Sequence, residues 1–349
     1  MRSLRQSRPG AGKRQPLTLR SLTVAVGTGL LLAAGLLSTS ACGAGPTIPD
    51  RFIYVTNQLD NTLSVIDGSA YKVVVTVPAG AFPAGVGVSP DGRHAYIAQG
   101  GDDAVAVFDT STNTITKIVS LAPGSKPRGV ALTPNGQFLY IADGGSNSVS
   151  VLDTATDQLV ASVPVGSQPV SVAVTPDGAS AYVANTGSND VSVIDIRTDR
   201  VVRVVPAGQY PAGVAVTHDG GSVYVTNELS GNVTVINTGN GAVEATLRSG
   251  IGPFSVAASP TDNSVYVADL GPGKLDVIDT RTRQVSSTVA LGSYGTDPFN
   301  AAATRHAIYV TNQGANTLSV IDPHTLHVVT TVTTGNSPYG VAVVPGQAR

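Results

Sequence analysis

Tyr182 to Asp195 reads YVANTGSNDVSVID, and the chain repeats this phrase seven times in recognisable form. The other copies are YVTNQLDNTLSVID at Tyr54, YIAQGGDDAVAVFD at Tyr96, YIADGGSNSVSVLD at Tyr140, YVTNELSGNVTVIN at Tyr224, YVADLGPGKLDVID at Tyr266 and YVTNQGANTLSVID at Tyr309. From the Tyr to the closing Asp or Asn the count is thirteen in every copy. A period of roughly 40 to 45 residues with short-strand texture marks a unit that cannot bury its own surface and must stack on copies of itself. The differences between copies are therefore where function is to be sought.

Each unit runs on from a recurring proline. After Pro211, Gly213 to Thr217 is a first short strand and His218-Asp219-Gly220-Gly221 a tight turn, because glycine supplies the positive φ that such a turn needs. Ser222 to Thr226 is a second strand, Asn227 to Gly231 a loop, Asn232 to Ile236 a third strand and Val243 to Leu247 a fourth. Val, Ile, Thr and Tyr fill these runs, and Gly, Pro, Asn and Asp bound them. The expected fold is all-β, a seven-bladed β-propeller with four antiparallel strands per blade. The chain enters in mid-blade at Phe52 and leaves on a first strand at Tyr339, so residues 339–344 should pair with 52–56 and close the ring. Closure hides edges that would otherwise invite aggregation. The propeller domain is expected over 51–345.

These units resemble the YVTN family of seven-bladed propeller repeats, and the match covers nearly all of residues 51–345. The resemblance implies a secreted, periplasmic or cell-surface protein. It leaves the activity open, since related propellers include binding modules, nucleic-acid binders, lactonases and cofactor-dependent oxidoreductases.

Six bases, Arg2 through Arg20, precede the first acid, Asp50, and lead into Leu22 to Leu37, a run without charge. A basic stretch, an apolar run and a small-residue end make the layout of a secretory signal over residues 1–41. Ala41-Cys42-Gly43 follows, with the chain's single cysteine. That stretch resembles a bacterial lipobox, with Thr39 where the pattern usually has an aliphatic residue. It implies lipidation of Cys42, residues 42–50 as lipidated Cys and tether, and anchorage at the outer side of the cytoplasmic membrane. Signal cleavage after Ala41 with Cys42 incidental, or an uncleaved anchor, are the other readings. From Asp50 onward, fifteen bases face twenty-three acids, a balance of about −8 that argues against binding a polyanion by bulk charge. One cysteine excludes an intramolecular disulfide and a thiolate metal cluster.

Positions filled in all copies read as architecture: the seven tyrosines as core, and Asp67, Asp109, Asp153, Asp195, Asn237, Asp279 and Asp322 as turn residues bonding the backbone ahead. The ring Asn57, Gln99, Asp143, Asn185, Asn227, Asp269 and Asn312 reads as loop caps, with no metal site and no cofactor expected. All five histidines fall at or beside the Asp-Gly turn face. Individuality lies on the other face, where Leu121 to Lys126 and Leu291 to Asp297 are insertions before two of the prolines. Around those prolines stand Lys126, Arg128, Gln168, Tyr210, Phe254, Asp297, Phe299, Asn300 and Tyr339, with Phe82 nearby. Such a mixed rim fits a ligand or partner.

The expectation is a non-enzymatic, exported binding or scaffolding propeller, monomeric, taking an envelope protein or glycan through one face of its channel, with the membrane reached only through Cys42. A lactonase or lyase needs an acid/base pair or a metal at the mouth, where Asp297, Glu228 and Asp103 are the candidate acids. Single-stranded nucleic acid needs a basic groove with stacking aromatics, of which Lys126 and Arg128 beside Phe254 and Phe299 are a thin version.

Overall fold

β-Branched strands and tight Gly turns leave each repeat little choice but an antiparallel meander. The computed structural model describes residues 50–344, which form seven four-stranded antiparallel sheets and, among the described residues, no helix. Blade 5 is typical, with strands Pro211–Val216, Ser222–Asn227, Asn232–Asn237 and Val243–Arg248 lying side by side in chain order. Its first turn is held by Asp219, whose carboxylate accepts from the Thr217 hydroxyl at 2.6 Å and the Gly221 N–H at 3.0 Å, while Gly220 takes φ 73°. An L side chain is disfavoured there, which is why glycine follows the Asp.

The second and third strands of each blade are buried on both faces, because each sheet is packed between two neighbours. All seven repeat tyrosines are at most 2% exposed, as a core role requires. The fourth strands form the outer wall and alternate exposed with half-buried residues. Every one of the seven closing Asp or Asn side chains accepts backbone N–H groups from the turn ahead, for example Ser69 and Ala70 onto Asp67 at 2.7 and 2.8 Å.

Ring closure follows the expected pairing. The first strand, β1 (Phe52–Asn57), lies between the second strand in the chain, β2 (Thr62–Asp67), and the last strand, Pro338–Val344, in one sheet. Phe52 pairs with Val344, Val55 with Val341 and Asn57 with Pro338. The Thr56 hydroxyl then donates across to the Ala84 carbonyl at 2.6 Å and accepts the Gly340 N–H at 2.8 Å, tying the closed blade to the next.

Asp50, which the sequence places at the end of a tether, is buried in the ring. Its Oδ2 accepts from the Thr304 hydroxyl at 2.7 Å and from the Tyr309 hydroxyl at 2.8 Å. Burial and the nearby Asp50 carboxylate together hold the Tyr309 phenol far above its usual range. Asp50→Ala strands that hydroxyl without an acceptor and should cost about 2 kcal/mol, whereas Asp50→Asn keeps an acceptor oxygen and restores most of the loss. Denaturant midpoints of the two variants check this, and equal midpoints would remove the lock. The signal segment and Cys42 lie outside the described residues.

Candidate functional site

Strand direction puts the loops before each first strand and between the second and third strands on one face, the mouth. On this face the residue before each recurring proline is left-handed in every blade: Phe82 (φ 48°), Lys126 (47°), Gln168 (53°), Tyr210 (59°), Gly252 (72°), Asp297 (48°) and Ser337 (55°). A residue preceding proline is pushed towards extended backbone, and left-handed φ costs a non-glycine residue about 1–2 kcal/mol. The neighbouring blade holds the loops in place against that cost. Asn61, Asp103, Asn147, Asn189 and Asn316 accept the N–H of Phe82, Lys126, Gln168, Tyr210 and Ser337 at 2.8 to 2.9 Å.

The residue after each proline heads an inner strand: Ala84, Arg128, Val170, Ala212, Phe254, Phe299 and Tyr339. The inner strands crowd together, and a Cβ on Gly129 would stand 2.7 Å from the Val170 carbonyl. The ring they form is lopsided. Phe254 and Phe299 pack with tilted rings, centroids 4.0 Å apart, and Phe299 and Tyr339 likewise at 4.5 Å, filling the side of blades 6, 7 and 1. Opposite them, small Val170 and Ala212 leave room, and a pocket of about 460 Å³ opens.

Arg128, Val170, Ala212 and Phe254 line that pocket together with Lys126, Gln168 and Tyr210 from the loops, and with Asn147 and Thr186. Five of the residues expected at the rim thus meet in one cavity: Lys126, Arg128, Gln168, Tyr210 and Phe254. Phe299 and Tyr339 do not stand on an exposed rim; they are 8% and 5% exposed and form the aromatic wall with Phe254. Burial raises the Tyr339 phenol, and the Arg128 guanidinium beside it offsets part of that rise. Asp297 and Asn300 lie outside the pocket; the Asn300 N–H donates to the Thr311 hydroxyl at 3.0 Å. Sequence reasoning did not single out Val170 and Ala212, whose side chains are small and apolar, or Asn147 and Thr186, which stand in the loops between second and third strands and not beside the recurring prolines. Aligning the residues after the seven prolines would have shown the small pair facing the aromatic trio.

The candidate acids do not enter the pocket lining. Asp103 accepts the Lys126 N–H at 2.8 Å and the Gly124 N–H at 2.7 Å, bonds that hold its carboxyl below the usual range. Glu228 is raised by burial, and its backbone N–H donates to the Tyr210 carbonyl at 2.9 Å. On the opposite face a hollow of about 590 Å³ lies between blades 3 and 4, but its Asp177 and Asp195 carboxylates are occupied in capping their own turns. The histidines sit on that face, and no group of three metal-ligating side chains occurs among the described residues.

The Asn ring caps as expected in four blades, where Asn57, Asn185, Asn227 and Asn312 each donate from Nδ2 to the third strand, as in Asn227 to Asn232 and Thr234 at 2.8 and 2.9 Å. Blade 3 carries Asp143, which burial pushes up to about 6. Blade 6 carries a cluster: Lys274 Nζ lies 2.6 Å from Asp276 and 3.3 Å from Asp269, and both carboxylates are buried. Burial and the adjacent Asp276 charge push Asp269 up to about 7.

A model of the YNCE-like β-propeller family matches residues 48–220. No curated protein matches the chain. Among solved structures, hydrazine synthase of Kuenenia stuttgartiensis is similar at 22% identity and TM-score 0.69, over 82% of this chain and 99% of that one. A functionally unknown protein from Desulfotomaculum acetoxidans superposes at TM-score 0.73 and 15% identity, covering 85% of this chain and all of its own. The dihydro-heme d1 dehydrogenase NirN, solved in complex with DHE, gives TM-score 0.64 and 17% identity over 85% of this chain and 76% of that chain. At such identities these likenesses concern the fold.

Proposed function

We propose that this protein is an exported, non-enzymatic binding propeller, held at the cell envelope through Cys42, whose working surface is the channel mouth. The observation that carries this reading is the convergence of Lys126, Arg128, Gln168, Tyr210 and Phe254 on one pocket, at positions where the blades differ from one another in sequence. The lining supplies cations, amides, a phenol and an aromatic face but neither a carboxylate nor an imidazole, which favours recognition over proton transfer.

The chain enters the ring at Asp50, on the face of the Asp-Gly turns and opposite the mouth, and the proposed export puts the ring beyond the cytoplasmic membrane. A partner is then met from outside the membrane. Capture from intact cells, using the protein as bait, tests this. Arg128→Ala and Val170→Phe, the second closing the pocket with an added ring, should each reduce captured partner about tenfold while leaving the melting temperature within about two degrees of wild type. Capture indifferent to both changes would place the working surface elsewhere.

A further inference from the structure

Seventeen large apolar side chains are exposed among the described residues. Eleven belong to the fourth strands of the outer wall, where exposed Val, Ile and Leu are ordinary for this fold. The other six are Leu59, Phe82, Tyr210, Leu229, Ile251 and Tyr294, and all six stand on loops of the mouth face. The opposite face has none among the described residues. An architectural cause would distribute them over both ends of the ring.

The fold does not call for them individually. Leu59 and Leu229 occupy the third position of the loop between second and third strands, where the other five blades have Gly101, Gly145, Gly187, Gly271 and Gly314. Tyr294, 85% exposed, stands in the longer insertion, and Ile251 is 75% exposed at a position that is Ala, Ser, Gln, Thr or Asn elsewhere. Covering such side chains removes apolar surface from water, so the set offers a partner an apolar gain. Inside this crown lie Lys126 and Arg128, with no carboxylate in the pocket lining, in a ring that otherwise carries excess negative charge. The electrostatic complement of that pocket is a carboxylate, which arginine grips as a charge-assisted and often bidentate pair.

We propose that the mouth docks an acidic, apolar polypeptide segment: its Asp or Glu side chain enters the pocket against Arg128 and Lys126 while flanking aliphatic or aromatic residues rest on Leu59, Phe82, Leu229, Ile251 and Tyr294. This rests on the mouth being the working surface and names the class of its partner. A polypeptide fits better than a lipid surface because Arg128 and Lys126 line a concave pocket of about 460 Å³ together with Gln168, Ala212 and Phe254. A side chain reaches it; a flat bilayer meets the loop tips first.

Panning a random-peptide display library on immobilised full-length protein tests the proposal. Selected sequences should carry Asp or Glu beside Leu, Ile, Phe or Tyr. A synthetic selected peptide should bind wild type at least about tenfold more tightly than it binds Arg128→Gln or the combined variant L59S/L229S/I251S/Y294S, and more tightly than its own Asn or Gln counterpart. The substituted crown residues are exposed, so unchanged melting separates lost docking from lost folding. Selected peptides without a carboxylate, or no enrichment over Arg128→Gln, overturn the proposal. So does sedimentation with phosphatidylcholine/phosphatidylglycerol vesicles that the crown variant abolishes. If peptides fail but capture from cells still depends on Arg128 and Val170, the mouth remains the working surface and only the partner class falls; if capture is indifferent as well, both fall.

Discussion

Ending the chain at Ser337 should give a protein that aggregates or is readily proteolysed, not a ring short of one strand. The lost strand is the innermost of blade 1 and carries Tyr339, Val341, Ala342 and Val344, all buried. At about 1.5–3 kcal/mol for each large apolar side chain, their removal approaches the whole net stability of a domain, about 5–15 kcal/mol. It also bares the edge of Phe52–Asn57, leaves the Thr311 hydroxyl without the Tyr339 carbonyl it contacts at 3.0 Å, and removes one leaf of the aromatic stack. An uncovered edge recruits other chains. Size-exclusion chromatography and limited proteolysis read the result, and a monomeric truncation with unchanged melting would refute the closure argument. A circular permutant joining residue 344 to Asp50 through a short Gly-Ser linker and opening a mouth loop elsewhere keeps every strand and the Asp50 contacts and should fold, separating closure from mere loss of sequence.

The blades, their count and their closure were legible because a repeat prints its architecture seven times: Tyr54 and its equivalents, the Asp-Gly turns and the Asp67-type caps each recur at fixed offsets. Most of the pocket was legible by the converse reasoning, since Lys126, Arg128, Gln168, Tyr210 and Phe254 are where copies disagree. What stayed hidden depends on three-dimensional neighbours. Nothing in the letters of Phe254, Phe299 and Tyr339 says that Phe299 packs between the other two as a wall, and smallness at Val170 and Ala212 is a signal only beside that wall. The left-handed backbone before each proline was equally invisible, since it runs against the local preference and persists through Asn61-type side chains of the adjacent blade. Asp50 looked like tether because its partners Thr304 and Tyr309 are about as far away in sequence as the ring allows.

Lys274→Met should destabilise the protein by about 3–5 kcal/mol at about pH 8, the usual cost of leaving a buried ion pair half removed. Lys274 is partly exposed but its two partners are not: Asp269 is 0% and Asp276 2% exposed. Burial opposes charge on all three groups. For Asp276 the Lys274 and Thr288 hydrogen bonds outweigh it and the carboxyl is held low, whereas for Asp269 burial and the Asp276 charge prevail and its pKa is pushed up to about 7. A folded value above the ordinary 3.8 means that the folded state holds the proton more tightly, so this contribution is fully present near pH 4 and is lost as pH rises through about 7. Asp143, at about 6, adds a loss of the same sign. The turn carboxylates are shifted the other way, Asp109 to about 2 through the Ser111 hydroxyl and backbone bonds, and they withdraw stability only in stronger acid. The wild-type melting temperature should therefore rise on acidification from about pH 8 to about pH 5, by an amount corresponding to about 4 kcal/mol, at about 1.4 kcal/mol per pH unit for each of the two carboxyls. The remaining blades supply the control. Blade 5 has Asn227, Asn232 and Thr234 at the equivalent places, joined by two neutral hydrogen bonds. Transplanting that set as D269N/K274N/D276T removes the charges together, and the product should match or exceed wild type at about pH 8 with a flatter pH profile, since replacing a whole buried ionic group is often neutral or stabilising. Lys274→Met with a wild-type denaturation midpoint at that pH would mean that the two carboxylates do not depend on their cation.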